Sequence, residues 1–153
     1  MCIRDSPEGF YESVFITKYL DSPNQPLFPF GYGLSYTTFE YSEIQMEDKQ
    51  LTRDGKLNVS VKVKNTGKYK GTETVQLYIR DLVASVTRPV KELKSFRKVE
   101  LKPGEEKKVE FVITEKDLRF WNDKKQFISE PGKFHLFIGT DSENVKKAEF
   151  VLL

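Results

Sequence analysis

The chain has 153 residues, with 25 basic and 23 acidic side chains and a formal net charge of +2. This length fits one domain with an extension, and a domain of this size holds a core without disulfides or metals. The balanced charge argues against a nucleic-acid-binding protein, which usually carries a one-sided basic field. Cys2 is the single cysteine, so no internal disulfide and no thiolate zinc site can form. No apolar run reaches the roughly 18 residues that span a membrane.

The first 25 residues lack the periodicity of regular secondary structure. Residues 1–6 look foreign to the rest of the chain, and we predict that they are not native to the protein. Residues 7–25 sustain neither a period of 2 nor one of 3.6, and we interpret them as a tail that lies on another domain. The start also lacks the basic and then apolar pattern of a signal peptide.

Residues 26–39 form the most unusual stretch of the sequence, which we call the aromatic run. Four aromatic side chains lie between Phe28 and Tyr36, and two prolines and two glycines interrupt the run. Proline removes a backbone donor and glycine costs backbone entropy, so no helix is expected. Burying one Phe or Leu side chain stabilises by roughly 1.5–3 kcal/mol, and exposing the run would lose several times that amount. We therefore predict that it packs against its own domain or a neighbouring one.

Strand signals begin after this run. Residues 36–44 alternate aromatic or apolar with polar side chains for much of their length, and residues 57–63 alternate strictly. Residues 74–80 repeat the alternation. Residues 93–99 predict a strand whose phase slip indicates a bulge. Between these two strands, residues 81–90 are predicted to form a connection at the edge of the sheet.

The second half continues in the same way. Residues 108–113 predict a strand, and Thr114 is predicted to cap a short helical turn. A polar tip at residues 123–126 comes after Trp121, and residues 133–138 predict the next strand before a final strand ends the chain. The fold class is therefore all-β: about seven strands at roughly 8–12-residue spacing predict an immunoglobulin/fibronectin type III-like antiparallel sandwich with an N-terminal extended linker. Strict alternation predicts one solvated face for each sheet.

Residues with catalytic potential are few. His135, the only histidine, lies in mid-strand, where a structural or surface role is favoured over catalysis. The acidic pairs at residues 105–106 and 115–117 are interleaved with lysine and are interpreted as solvated surface. Gly31-Tyr32-Gly33 is followed by no helical pattern, which disfavours a dinucleotide site. Trp121 fits either a sugar-stacking platform or a core or interface aromatic, and the latter is favoured. We expect no catalytic residue, no metal and no cofactor in this chain.

Several motifs together resemble one family. The run Pro29-Phe30-Gly31-Tyr32-Gly33-Leu34-Ser35-Tyr36-Thr37-Thr38-Phe39 resembles the junction before the C-terminal fibronectin type III-like domain of glycoside hydrolase family 3. The similarity covers essentially residues 8–153, and its closest subgroup looks like the bacterial periplasmic β-glucosidases. Further stretches carry it: Val63–Gly67, Gly71–Tyr78, Ser85–Leu93, Leu101–Glu105, Pro131–Phe134 and Ile138–Ser142.

The resemblance implies a part of an enzyme without the enzyme's chemistry. Family members are retaining exo-glycosidases whose aspartate nucleophile and glutamate acid/base lie in preceding domains, and no position here matches either motif. The implied division is residues 1–6 as a non-native start, 7–35 as linker and interface, and 36–153 as the fibronectin type III-like domain. The implied role is to stabilise the catalytic domains, in the periplasm or outside the cell, with no nucleic-acid or membrane partner and with β-glucoside met only through the parent enzyme.

The resemblance and the apolar linker together predict an interdomain contact. Its candidate residues are Phe28, Phe30, Tyr32, Leu34 and Tyr36, with Arg88 and Trp121 in second rank. An alternative function is an independent carbohydrate- or protein-binding module that works through exposed aromatics.

Overall fold

The structure is a computed structural model, and it describes residues 26–153. The predictions for residues 1–6 and 7–25 lie outside the described residues. The described part of the chain contains eleven strands and one short helix. In chain order these are β1 (Phe39–Tyr41), β2 (Gln45–Met46), β3 (Gln50–Leu51), β4 (Lys56–Asn65), β5 (Gly71–Asp81), β6 (Glu92–Leu101), β7 (Glu106–Thr114), α1 (Glu115–Leu118), β8 (Phe120–Trp121), β9 (Phe127–Ile128), β10 (Gly132–Gly139) and β11 (Val145–Leu152).

Two sheets carry the architecture. In the first, which we call sheet A, β4 pairs with β7 along one edge and with the short β1 and β2 along the other, all antiparallel. The second, sheet B, has the order β3-β11-β10-β5-β6. Its pairs are antiparallel except the two-residue contact of β3 with β11, which is parallel. A separate hairpin joins β8 to β9.

One core lies between the two sheets. It is built from the inward-facing residues of β4 and β7 in sheet A and of β5, β10 and β11 in sheet B. Leu57, Leu77 and Leu136 are completely or almost completely buried there, and the rings of Phe134 and Phe150 stack at 5.4 Å. The all-β sandwich predicted from the alternating pattern is confirmed.

Several local predictions are confirmed as well. The phase slip in residues 93–99 is a register shift in which β5 residues Leu77 and Tyr78 oppose Ser95 and Leu93, so that Lys94 is the extra residue. Thr114 precedes α1, and the Asp117 carboxylate accepts a hydrogen bond from its backbone N–H at 2.7 Å.

Two strand predictions differ from the structure. The alternation over residues 36–44 yields only the three-residue β1, because Thr37 turns its hydroxyl into the domain to reach Asn65. The count of about seven strands includes the long ones and misses the two-residue segments β2, β3, β8 and β9, which are too short to show a period.

The sequence predicts a solvated outer face for β5, and this prediction is wrong at Gln76 and Tyr78. Gln76 and Tyr78 point away from the core, yet they are only 5% and 1% exposed. They are covered by the turn at residues 29–32 of the aromatic run and by the β10–β11 loop at residues 140–144. The aromatic run therefore lies on the outer face of sheet B.

Candidate docking surface

The backbone of the aromatic run is fixed to sheet B at residues 30 and 31. The carbonyl oxygen of Phe30 accepts a hydrogen bond from the Ser142 backbone N–H at 2.9 Å and lies 3.4 Å from the Tyr78 hydroxyl. The carbonyl of Gly31 accepts from the side-chain amide of Gln76 at 3.0 Å. Gln76 also donates to the Thr140 carbonyl and accepts from the Tyr78 hydroxyl at 2.6 Å. One buried amide thus joins the run, strand β5 and the β10–β11 loop.

The turn at residues 29–32 depends on a glycine. The Tyr32 N–H donates to the Pro29 carbonyl at 3.1 Å, and Gly31 has a φ of +82°. A Cβ at residue 31 would lie 2.2 Å from Gln76 Oε1 and 2.7 Å from the Tyr78 hydroxyl. Glycine meets both demands, because it adopts positive φ without strain and lets the backbone approach β5 closely.

A second anchor fixes the end of the run. The Thr37 hydroxyl donates to Asn65 Oδ1 at 2.6 Å, and the Gly67 N–H donates to the same oxygen at 3.0 Å. The Asn65 amide nitrogen then donates to the carbonyls of Tyr69 and Leu101. The fully buried Asn65 therefore uses both ends of its amide to connect the run, the β4–β5 turn and the end of β6.

The side chains between these anchors remain exposed. We call them the linker surface: Phe28, Phe30, Tyr32, Leu34 and Tyr36. Their exposure ranges from 44% for Tyr32 to 97% for Tyr36, although the backbone at residues 30 and 31 is hydrogen-bonded to the sandwich. Phe28 and Tyr32 pack together at 4.9 Å, and Phe30 contacts the edge of the Tyr78 ring at 6.4 Å. Exposed large apolar side chains in a cluster mark an interaction surface.

Two residues that sequence reasoning missed adjoin the linker surface. Phe96 and Leu93 lie on β6 and pair in register with Gln76 and Tyr78, so they share the outer face of sheet B. Both side chains are exposed. The signal was present in the phase slip of residues 93–99, because a bulge at Lys94 places Leu93 and Phe96 on the same face.

Comparison with known proteins identifies the domain type. A model of the fibronectin type III-like domain matches residues 73–142. Residues 73–142 therefore belong to a fibronectin type III-like domain. The periplasmic β-glucosidase of Salmonella typhimurium is 50% identical over 139 residues, which are 91% of this chain and 18% of that protein. A putative β-xylosidase of Formosa agariphila is 49% identical over 88% of this chain and 18% of its own length.

A solved structure gives the same result. The crystal structure of a β-glucosidase from Listeria innocua in complex with glucose matches with a TM-score of 0.84 and 42% identity, over 91% of this chain and 19% of that one. The chain thus spans about a fifth of the length of the relatives that it matches. It corresponds to the fibronectin type III-like domain of glycoside hydrolase family 3 β-glucosidases, a non-catalytic part of the larger enzyme. The alternative of an independent binding module is not favoured, because the relatives carry this domain inside a longer chain.

Within the fibronectin type III-like domain, Arg88 is engaged by neighbouring residues. Its guanidinium lies 2.8 Å from Glu92 and 3.2 Å from Asp81, donates to the Leu118 carbonyl, and stacks 4.6 Å from the centre of the Phe120 ring. The side chain is 10% exposed. Burial alone would raise the pKa of Glu92. Hydrogen bonds from Lys94 and Arg88 outweigh this effect and hold the pKa of Glu92 below its usual range. Arg88 therefore joins the β5–β6 connection to β8, and its predicted contact with a neighbouring domain stays a prediction.

Trp121 lies at the exposed hairpin of the fibronectin type III-like domain. Its ring is 65% exposed and packs against Phe127 at 5.3 Å. Phe127 was not predicted from sequence, because only the β8–β9 pairing brings it beside Trp121. This pair is a smaller apolar surface, separate from the aromatic run in sequence, and its role as an interface stays a prediction.

The interpretation of residues 115–117 as solvated surface is wrong for Glu115. Its side chain is buried, accepts hydrogen bonds from Arg119 at 2.9 Å and from the Ser129 hydroxyl at 2.5 Å, and links α1 to the end of β9. These two donors hold the pKa of Glu115 below its usual range. Charge-assisted hydrogen bonds of this kind are among the stronger ones in proteins, so Glu115 fixes α1 to the residue after β9.

His135 has a structural environment in the domain. Its Nε2 lies 3.0 Å from a Glu149 carboxylate oxygen on the neighbouring β11, and its ring contacts the edge of Phe137. Partial burial and the Lys147 charge lower the pKa of His135. Among residues 26–153 there is no cluster of three metal-binding side chains and no helix long and apolar enough to cross a membrane.

Proposed function

We propose that this domain stabilises the catalytic domains of a family 3 β-glucosidase by docking on them through the linker surface. The family assignment supports the proposal, because the matched relatives are about five times longer than this chain and are named as glycosidases. The domain contributes packing and not chemistry: catalysis belongs to the remainder of the enzyme. The substrate of that remainder is a β-glucoside. Two relatives are named as a β-xylosidase or a putative β-xylosidase, so domains of this type occur in enzymes named for different sugars.

The observation that carries the proposal is the contrast between backbone and side chains in the linker surface. The sandwich fixes the backbone of residues 30 and 31 with hydrogen bonds, but leaves the side chains of Phe28, Phe30 and Tyr32 exposed. A fixed backbone removes the entropy cost of ordering these aromatics at the moment of contact. Rigid aromatic side chains with little entropy left to lose are the usual anchors of protein interfaces.

The compartment is inferred from the same comparison. The Salmonella relative is named a periplasmic β-glucosidase, so we propose that the parent enzyme of this domain acts in the periplasm or outside the cell. Fractionation of cells that express the full-length protein with a C-terminal tag tests this directly. Recovery of the enzyme in the cytoplasmic fraction alone would contradict the assignment.

A chimeric enzyme tests the docking role. Residues 26–153 replace the corresponding part of the Salmonella enzyme, with which the chain shares 50% identity. In this background Phe30→Ala and Tyr32→Ala together are expected to speed thermal inactivation at least about tenfold, since burial of one aromatic side chain contributes roughly 1.5–3 kcal/mol. The activity that remains before heating should keep the KM of the parent chimera, because the substrate site lies elsewhere.

The matched control is Tyr69→Ala. Tyr69 is 65% exposed but lies in the β4–β5 turn and outside the linker surface. It should leave the inactivation rate of the chimera unchanged. If Phe30→Ala with Tyr32→Ala behaves like this control, the linker surface does not dock and the proposal fails.

A further inference from the structure

We propose that the hollow beside β6, lined by Leu93, Phe96, Thr74 and Gln76, receives an apolar side chain from the catalytic body of the same polypeptide. This extends the interface from the linker surface onto the sandwich itself. It rests on the proposed function, and it adds a site and two residues, Leu93 and Phe96, that neither the sequence predictions nor the comparisons named.

Two rows of contacts join the hollow to the linker surface. In the first row Phe96 of β6 opposes Gln76 of β5, whose amide holds the Gly31 carbonyl at 3.0 Å. In the second row Leu93 opposes Tyr78, whose ring contacts Phe30. Each row therefore runs from an apolar residue of β6, across a buried polar residue of β5, to the aromatic run. The linker surface and the hollow lie on one face.

The size and the lining of the hollow suit a side chain. Its volume is about 250 Å³, it is open to solvent, and its accessible lining is apolar. Phe96 is 58% exposed and Leu93 is 40% exposed, although both lie on strand positions beside the buried Gln76 and Tyr78. An isolated domain gains nothing from two large apolar side chains at the rim of an open hollow, whereas an interface core requires them.

The position of the linker identifies the occupant. The aromatic run joins the sandwich on this face, at Phe30 and Gly31, so whatever precedes the run in the longer protein is tethered beside the hollow. A covalent tether gives the attached body a high effective concentration at this surface. A second copy of the domain has no such tether and would have to bind from free solution. The occupant is therefore the preceding catalytic body.

Chemical labelling in the chimera tests the occupant. Single cysteines are introduced as Phe96→Cys and, as a control, Val112→Cys, which lies exposed on the outer face of sheet A. The proposal predicts that a thiol reagent modifies residue 96 at least about tenfold more slowly than residue 112, as read by peptide mass spectrometry. Equal rates at the two positions would overturn it. Protection of residue 96 that fades on dilution would also overturn it, because it would show a second copy as the occupant.

A filling variant separates this inference from the proposed function. Thr74→Trp occupies the hollow from its floor and leaves Leu93, Phe96 and the linker surface in place. In the chimera it is expected to speed thermal inactivation about tenfold, while Thr72→Trp, two residues away and exposed on the same strand, has little effect. If Phe30→Ala with Tyr32→Ala destabilises the chimera but Thr74→Trp does not, the linker docks and the hollow is empty. If neither the double alanine variant nor Thr74→Trp changes the inactivation rate, both the proposed function and this inference fail.

Discussion

The side-chain amide of Gln76 donates a hydrogen bond to the backbone carbonyl of Gly31 across 45 residues of sequence, at 3.0 Å. This contact fixes the linker on the outer face of sheet B and converts a flexible junction into part of the domain. Because Gln76 is buried and uses its other hydrogen bonds on Tyr78 and Thr140, the turn, the strand and the β10–β11 loop are held as one unit.

Gly31→Ala should release the linker from sheet B. An alanine there must adopt a positive φ and would place its Cβ against Gln76 and Tyr78, so the hydrogen bonds of residues 30 and 31 cannot form together. We expect the free energy of unfolding to fall by roughly 1–3 kcal/mol. Urea denaturation of the chain measures this. Cleavage by a protease at residues 27–34 should also become faster, because the linker backbone becomes accessible.

Gly33→Ala is the matched control for that change. A Cβ at residue 33 has no atom within 4 Å, and its φ is not in the positive region. The same substitution two residues away should therefore leave both unfolding and proteolysis unchanged. Similar behaviour of the two variants would mean that the linker does not depend on the close approach to β5.

The long strands of this fold were predictable from sequence, because their alternation reports the core directly. The slip that placed a bulge in residues 93–99 was visible too, since one extra residue reverses the facing of every side chain beyond it. The strand predicted over residues 36–44 was too long, because its alternation does not report the core. Their alternation reflects Thr37 reaching Asn65 and a short β1, not a long strand.

The candidate docking surface was only partly predictable. The aromatic run was recognised as needing a partner, because its apolar content has no place in an ordinary loop. Its anchor could not be foreseen: Gln76 looks like any polar residue on a solvated strand face, and only the folded chain brings Gly31 over it. Glu115 was misjudged in the same way, because Ser129, which covers it, is 14 residues distant in sequence. Local pattern predicts strands, and non-local cover decides which polar residues are buried.

Asn65→Ala should be among the most destabilising polar substitutions in the chain. It removes the acceptor for Thr37 and Gly67 and the donor for the carbonyls of Tyr69 and Leu101, and the bonds to Thr37 and Leu101 are buried. Each unsatisfied buried group costs about 1–3 kcal/mol, so we expect a loss of more than about 3 kcal/mol in urea denaturation. Asn58→Ala, on the exposed face of the same strand, should change the stability by less than about 0.5 kcal/mol.

Arg88→Met should expose the role of the buried ion pair. Methionine keeps the apolar contact with Phe120 but leaves the Asp81 carboxylate, 3% exposed, without its cation. Removing one partner of a buried pair costs about 3–5 kcal/mol. Lys62→Met, which breaks an exposed pair with Glu106, should cost less than about 1 kcal/mol.

A double variant distinguishes charge from packing at this site. If the uncompensated Asp81 charge causes the loss, then Arg88→Met combined with Asp81→Asn should be more stable than Arg88→Met alone. If the double variant is instead less stable than Arg88→Met, the arginine acts mainly through its stacking and its hydrogen bond to Leu118.

Glu73 should make the domain less stable as the pH rises. Its carboxyl group points into the sandwich, where it accepts a 2.7 Å hydrogen bond from the Tyr41 hydroxyl. Burial raises the pKa of Glu73 above its ordinary 4.5, and the hydrogen bond from Tyr41 opposes this without cancelling it. The folded state therefore holds its proton more tightly than the unfolded state does. The resulting stabilisation is complete below pH 4.5 and is lost as the pH rises through the raised pKa.

Glu73→Gln removes this pH dependence while keeping the acceptor. A glutamine oxygen can still accept from Tyr41, whose own pKa burial also raises, so the hydroxyl continues to donate. We expect the variant to be as stable as the parent chain at low pH and more stable above neutrality, as measured by urea denaturation between pH 4 and 8. Glu40→Gln on the exposed face of β1 should match the parent chain at every pH. A variant that is less stable than the parent chain at pH 8 would mean that the ionised carboxylate is the favoured partner of Tyr41.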